Sequence, residues 1–301
     1  MIENNKFAYL VMAHKADYTL KRLLSAIDDE RNDIYLHVDK KSDINGFKEL
    51  AKDIKQSKLF FVTRTKVEWA AYSQIEAELN LFREANKKHY RYYHLISGSD
   101  LPIKSQDYIH DFFNNANKKE FVHFESDEFK YSDRVHLYYP FQKNLRHNTN
   151  SWQKLRHYTW RRIGNKLVGL FQKTLGINLN SHINFQKGAQ WVSITDELVS
   201  YILQNERWIH KTFGHSFCTD EVFIQTLVHN SEYFKQKLYH PYYDNSNIAN
   251  QRLIDWNRGK PYVFKKQDFE ELKNSPYLFA RKFDSEIDKE IIDLITKEYE
   301  A

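Results

Sequence analysis

Phe7-Ala8-Tyr9-Leu10-Val11-Met12, followed by Ala13-His14-Lys15, is the stretch on which the fold turns: a short apolar strand-like run that ends in a polar cluster. Downstream, Tyr18, Leu20, Leu23, Leu24 and Ile27 fall at helical spacing, and Ile34 to Val38 is a second strand ending in Asp39. The alternation continues with a helix near Phe47 to Ile54, a strand near Leu59 to Val62, a helix near Ser73 to Ala85 and a strand from Tyr92 to Ile96. This rhythm predicts an α/β fold with a mostly parallel central sheet and helices on both faces.

In open sheets of that kind, ligands sit beyond the carboxyl ends of the strands. Ala13-His14-Lys15, Asp39 and Ser97-Gly98-Ser99-Asp100 all fall there. Neither G-x-G-x-x-G nor G-x-x-x-x-G-K-[ST] is present, so the dinucleotide fingerprint and the phosphate loop do not apply. Past this cluster, Ser105 is placed to cap a helix from Gln106 to Phe113, Phe121 to Phe124 reads as a strand, and Lys187 to Ile194 as a Gly-led strand. Thr195 then caps a helix carrying Leu198, Tyr201, Ile202 and Leu203. Thr219-Asp220-Glu221 reads as a helix start, with Thr219 as cap, both acids in the first turn, and Phe223 and Leu227 on one apolar face.

Composition limits the possibilities. A chain of 301 residues with 16% aromatics, eight Gly and five Pro is globular, without low-complexity tracts or a fixed repeat. The apolar run at Phe7 to Ala13 is too short for a membrane span, and a single cysteine, Cys218, excludes an internal disulfide framework, so a cytoplasmic location is expected. The net charge of +5 is unevenly placed: from Arg134 to Lys187 there are ten cations and no acid, so the remainder of the chain carries −5. Aromatic residues such as Tyr138, Tyr139, Trp152 and Trp160 are interleaved with those cations. The segment, about 134–187, is expected to be an insertion or flap on one domain spanning 1–301, suited to an anionic membrane surface, a polyanionic acceptor or nucleic acid.

Six strings in order carry a resemblance to a known family: Phe7 to Lys15, Leu36-His37-Val38-Asp39, Gly98 to Lys104, Lys187 to Trp191, Thr219-Asp220-Glu221, and Phe279-Ala280-Arg281-Lys282-Phe283-Asp284. Over about residues 7 to 290 the chain resembles glycosyltransferase family 14, the core-2/I-branching β-1,6-N-acetylglucosaminyltransferases and peptide O-xylosyltransferases. The resemblance implies a GT-A-like nucleotide-sugar fold, an inverting mechanism and a UDP-sugar donor. It makes Glu221 the catalytic base, Val11, His14 and Asp39 a nucleoside pocket, and Lys282 a diphosphate ligand. Arg258 is the nearest partner for Lys282, with Lys260 or Arg252 as alternatives. Lys15, Trp69, Asp100, Gln190, Trp191 and Asp220 complete the substrate-binding set. Thr219 stands where branching enzymes carry Pro, and the absence of an N-terminal anchor resembles a bacterial member acting on a lipid-linked glycan. The partners so implied are a UDP-sugar, a glycan or lipid-linked glycan and a peripheral membrane surface, with no nucleic acid.

The chemistry agrees with this reading. Inverting transfer needs one base for the acceptor hydroxyl and positive charge for the departing diphosphate. No D-x-D occurs in the chain, so no divalent metal or other cofactor is expected, and Asp284-Ser285-Glu286 and Asp288-Lys289-Glu290 read as acidic positions of a C-terminal helix. The rival classes are a basic aromatic module that binds nucleic acid or membrane without catalysis, and a hydrolase, which needs a second carboxylate across the bond.

Overall fold

A computed structural model describes residues 5–142 and 152–299. The first half runs β1 (Phe7–Ala13), α1 (Tyr18–Ala26), β2 (Asn32–Val38), α2 (Ile44–Ala51), β3 (Lys58–Phe61), α3 (Ser73–Asn86), β4 (Tyr92–Ser97), β5 (Asp100–Pro102) and α4 (Gln106–Asn115). The second half runs α5 (Ser132–His136), α6 (Trp152–Thr174), β6 (Ser193–Thr195), α7 (Asp196–Gln204), α8 (Glu206–Phe213), α9 (Phe223–His229), α10 (Glu232–Gln236), β7 (Arg252–Ile254), α11 (Phe269–Lys273), β8 (Phe279–Arg281) and α12 (Lys289–Tyr299). Short polar side chains start the early helices: the Asp17 carboxylate accepts from the Leu20 amide at 3.0 Å and the Ser105 hydroxyl from the Tyr108 amide at 3.2 Å.

The central sheet has the order β3-β2-β1-β4-β6, with the first four strands parallel and β6 antiparallel to β4. Alternate residues of β1 enter different cores. Ala8 and Leu10 pack with Ile75, Leu79 and Phe82 of α3, whereas Phe7, Tyr9 and Val11 pack with Leu20 and Leu24 of α1 and Ile292 of α12. Both faces of the strand are thereby covered, which is why its sequence is apolar without alternation. The fold is the expected mixed α/β architecture with a mostly parallel sheet flanked by helices, GT-A-like in form. A second, three-stranded sheet, β5-β8-β7, packs late chain against the end of β4.

Three local expectations change. Phe121 to Phe124 is no strand: Phe121 makes an isolated antiparallel bridge to Ser193, and Glu120 a parallel one to Leu238. The Lys187 to Ile194 strand shrinks to β6, because side chains take over its preceding hydrogen bonds. Gln225 Nε2 donates to the Ala189 carbonyl at 2.8 Å, the Ala189 amide to His123 Nδ1 at 3.2 Å, and Asn250 Nδ2 to the Trp191 carbonyl at 3.1 Å. Asp284 and Glu286 precede α12 rather than lying in it, and the Asp288 carboxylate accepts from the Ile291 amide at its start.

The basic segment contains the 23-residue α6. Lys143 and Arg146 lie outside the described residues, as do the side chains of Lys154, Arg156 and their neighbours up to Tyr158. Among the described residues no helix is long and apolar enough to cross a membrane.

Candidate active site

The chain runs outward from β1 to β2 and β3, then returns to β4 on the other side of β1. In open α/β sheets ligands bind where the order reverses, here beyond the carboxyl ends of β1 and β4. His14 and Lys15 follow β1, and the Asp39 amide donates to the Ala13 carbonyl at 2.9 Å, tying the end of β2 to that of β1. Asp39 is nearly buried, accepts from the Lys41 amide at 2.9 Å and lies 3.5 Å from its ammonium. Burial lowers the His14 pKa, and the cations of Lys15 and Lys282 lower it further, so this imidazole is neutral at physiological pH. His14, Lys15, Asp39 and Lys282 are therefore gathered at one end of the sheet. Lys15 also reaches Glu286 at 3.6 Å across exposed surface. The Val11 side chain lies in the core.

Asp100 and Trp191 meet on Arg281. The Asp100 carboxylate accepts from the Ser97 amide at 2.9 Å and the Ser97 hydroxyl at 2.7 Å, and pairs with Arg281 at 2.6 Å. The same guanidinium lies over the Trp191 ring, 4.7 Å from its centre. Arg281 thus locks the second sheet onto the end of β4, and Asp100 is 2% exposed.

Arg258 and Arg252 are placed differently. Arg258 is shared among Asp255, Asp268 and Glu271, with the latter two at 2.8 and 2.7 Å, and lies over the Tyr262 ring. The alternative Arg252 is fully buried, donates to the Val192 carbonyl at 2.7 Å and the Leu95 carbonyl at 3.2 Å, and is pushed down to about 9 by burial.

Glu221 stands in a different local setting from the expected one. Residues 219–222 form a turn closed by the Thr219 carbonyl, which accepts from the Val222 and Phe223 amides at 3.0 and 3.1 Å, and α9 starts only at Phe223. Asp220 and Glu221 thus precede the helix, and the Thr219 hydroxyl makes no cap. The Glu221 carboxylate is about a third exposed, 3.4 Å from Lys187 Nζ and 4.0 Å from Arg134 Nη1. Lys187 also pairs with Glu125 at 3.1 Å. Burial alone lowers the Lys187 pKa, but Glu221 and Glu125 outweigh it and the net shift is upward. Both cations come from the ends of the acid-free segment.

Behind Glu221 lies a buried acid pair. Asp220 accepts from Gln74 Nε2 at 2.7 Å, and its other oxygen has no partner. Burial, then the charge of Glu221, pushes its carboxyl up to about 7. Glu78, fully buried on α3, is raised well above the usual range by burial and then by Asp220. Its Oε1 accepts from Gln190 Nε2 at 2.8 Å, and Gln190 also touches Met12 Sδ at 3.8 Å, linking the acids to β1. Two like charges this deep do not both ionise. Because the folded Asp220 binds its proton more tightly than the unfolded chain, whose value is 3.8, its contribution to stability is greatest below pH 4 and declines as the pH rises through 7. Asp220→Asn is therefore expected to gain stability relative to the native chain between pH 4 and 7. Urea midpoints across that range check this, and a constant difference between the two proteins would remove the raised carboxyl.

Trp69 borders the same region, edge-to-face with Phe217 at 6.0 Å. Next to it, Ala70 and Cys218 both have left-handed backbones, with φ of 64° and 56°, and the Cys218 amide donates to the Ala70 carbonyl at 2.8 Å. Each such non-glycine residue costs about 1 kcal/mol or more, and strain of this kind clusters at functional sites.

Sequence reading missed Glu78, Gln74, Arg134 and the partners of Lys187. Glu78 had a signal: it sits between Ile75 and Phe82 at helical spacing, an acid on the apolar face of α3.

The family profile "Core-2/I-Branching enzyme" matches residues 7–274. Xylosyltransferase 2 of Homo sapiens is 23% identical over 96% of this chain and 33% of its own length. Xylosyltransferase of Ciona intestinalis is 24% identical with the same coverage. A beta-1,3-galactosyl-O-glycosyl-glycoprotein beta-1,6-N-acetylglucosaminyltransferase of Bos taurus is 26% identical over 93% of this chain and 66% of its own length. The chain spans about one third of the length of these xylosyltransferases.

Proposed function

The chain belongs to the Core-2/I-Branching enzyme family, and from that premise we propose that it is an inverting glycosyltransferase of bacterial cell-surface polysaccharide synthesis. In this reading it transfers N-acetylglucosamine from a UDP-sugar to a hydroxyl of a lipid-linked glycan, at the cytoplasmic face of the membrane and without a divalent metal. The observation that carries the reading is Glu221: a part-exposed carboxylate between two cations, backed by a buried acid pair that Gln190 ties to β1. Glu221 takes the proton of the acceptor hydroxyl as its oxygen attacks the anomeric carbon. The bond from that carbon to the diphosphate breaks, UDP leaves with the electron pair, and the configuration inverts.

Lys282, beside His14 and Lys15, meets the charge on the leaving group in place of a metal. Arg258 joins it by exchanging Asp268 or Glu271 for the diphosphate. A charge-assisted contact is worth roughly 1.5 to 3 kcal/mol, so Lys282→Ala is expected to lower kcat/KM about tenfold to hundredfold and to weaken UDP binding.

The test is incubation with UDP-N-acetylglucosamine, UDP-xylose, UDP-galactose and UDP-glucose, with and without a glycan acceptor, in excess EDTA. The expected outcome is acceptor-dependent UDP release and a glycoside of inverted configuration. Activity lost in EDTA and restored by Mn²⁺ refutes the metal-free part, and free sugar as the main product refutes transfer.

A further inference from the structure

Helix α6 is amphipathic in the wrong sense for a helix that rests on its own protein. The side it turns inward is polar: Asn165 exchanges two hydrogen bonds with the Phe141 backbone, at 3.2 and 2.8 Å, and Gln172 two with the Tyr138 backbone, at 2.8 and 2.9 Å. Gly164 lets the helix approach closely, since a Cβ there would stand 2.8 Å from the Phe141 ring. The side it turns outward is apolar. Trp160, Leu167, Leu170 and Phe171 are 61–66% exposed, and with Ile163 they fall at i, i+3, i+7, i+10 and i+11, one continuous stripe. Exposed Arg162, Lys166 and Lys173 border that stripe on one side.

Three residues of the stripe, Ile163, Leu167 and Leu170, also line a cavity of about 1280 Å³ with Trp69, Tyr139 and Phe217, and Asp133, Arg162, Lys166 and Lys173 add charge to the same wall. Phe217, on the cavity wall, donates its amide to the carbonyl of Arg134 at 2.9 Å, and the Arg134 guanidinium lies 4.0 Å from Glu221.

An apolar stripe with Trp, bordered by cations, in a segment without acid on a chain otherwise net negative, has the chemistry of an interfacial helix on anionic lipid. A second copy of the chain fits less well, because two such faces would bring like charges together. We infer that α6 docks the protein on an anionic membrane, with Trp160 and Phe171 in the acyl boundary and Arg162 and Lys166 facing the headgroups. The cavity then admits the apolar portion of a lipid-carried acceptor, a step that rests on the transferase reading, whereas docking does not.

The experiment is co-sedimentation of the full chain with vesicles of phosphatidylcholine alone or mixed with phosphatidylglycerol, at low and high salt. Pelleting with the anionic vesicles only, weakened by salt, is expected. Each cation near such a surface multiplies binding about fivefold, so Lys166→Glu should reduce it at least that much. Trp160→Glu with Phe171→Glu, neither of which lines the cavity, should reduce it by tenfold or more and leave turnover of a water-soluble acceptor unchanged. Equal pelleting with neutral vesicles, or no effect of the double variant, overturns the inference. A concentration-dependent dimer in sedimentation velocity that the double variant abolishes overturns it also, by giving the face to a second copy. Failure of the transferase reading shows separately, as absence of turnover in a protein that still pellets.

Discussion

Glu221→Gln is expected to reduce turnover about 10²- to 10⁴-fold while leaving UDP affinity nearly unchanged. The amide keeps the size and shape of the side chain but takes no proton from an acceptor hydroxyl. Because Lys187 keeps Glu125 at 3.1 Å, the variant leaves no buried cation alone, and little change in stability should accompany the loss. Donor binding is assigned to His14, Asp39 and Lys282, none of which pairs with Glu221, so the effect should fall on kcat and kcat/KM alike rather than on donor KM. Steady-state kinetics with a calorimetric UDP titration check this. A variant that retains most of its turnover would take Glu221 out of the mechanism.

Gly188→Ala is expected to be the most damaging single methyl group in the chain. A Cβ at this position would stand 1.7 Å from the His123 carbonyl oxygen and 2.6 Å from its carbon, both backbone atoms that no rotamer change relieves. The demand is for space and not for a left-handed dihedral, since among the glycines only Gly176 has positive φ. The Gly188 amide also donates to the Glu221 carbonyl at 2.9 Å, so displacing the segment moves Lys187 and the turn that carries Glu221 together. A loss on the order of 4 kcal/mol or more, at the upper end for a point substitution, is expected in urea unfolding. Any folded remainder should be nearly inactive. Native stability together with native turnover would show that the two segments do not cross this closely.

How much of this was legible beforehand differs by level. The helix and strand alternation from Phe7 to Ser97 could be read because burial on both faces of a strand, or one face of a helix, leaves a periodicity within a few residues. The same locality placed His14, Asp39 and Asp100 at strand ends. It gave the wrong setting for Glu221, because a Thr-Asp-Glu string is compatible with a cap and with a turn, and the choice fell to carbonyl geometry at Thr219. It also overextended the strand before β6, where side chains from His123, Gln225 and Asn250, distant in sequence, satisfy the backbone in place of a neighbouring strand.

By itself the sequence determined the layered α/β sheet with its switch point and the concentration of cations between Arg134 and Lys187, whereas Glu221 was singled out as candidate base by the resemblance to a family. The sheet and the charge bias are written in residue type and spacing along the chain. Only the tertiary structure decided that Lys187 and Arg134 flank Glu221, that Glu78 and Asp220 meet in the interior, that Arg281 belongs to Asp100, and that α6 turns its apolar side outward. These depend on which segments the closing of long loops brings into contact. Charges separated by more than a hundred residues acquire partners, and buried carboxyls their raised proton affinity, only when packing excludes the water between them.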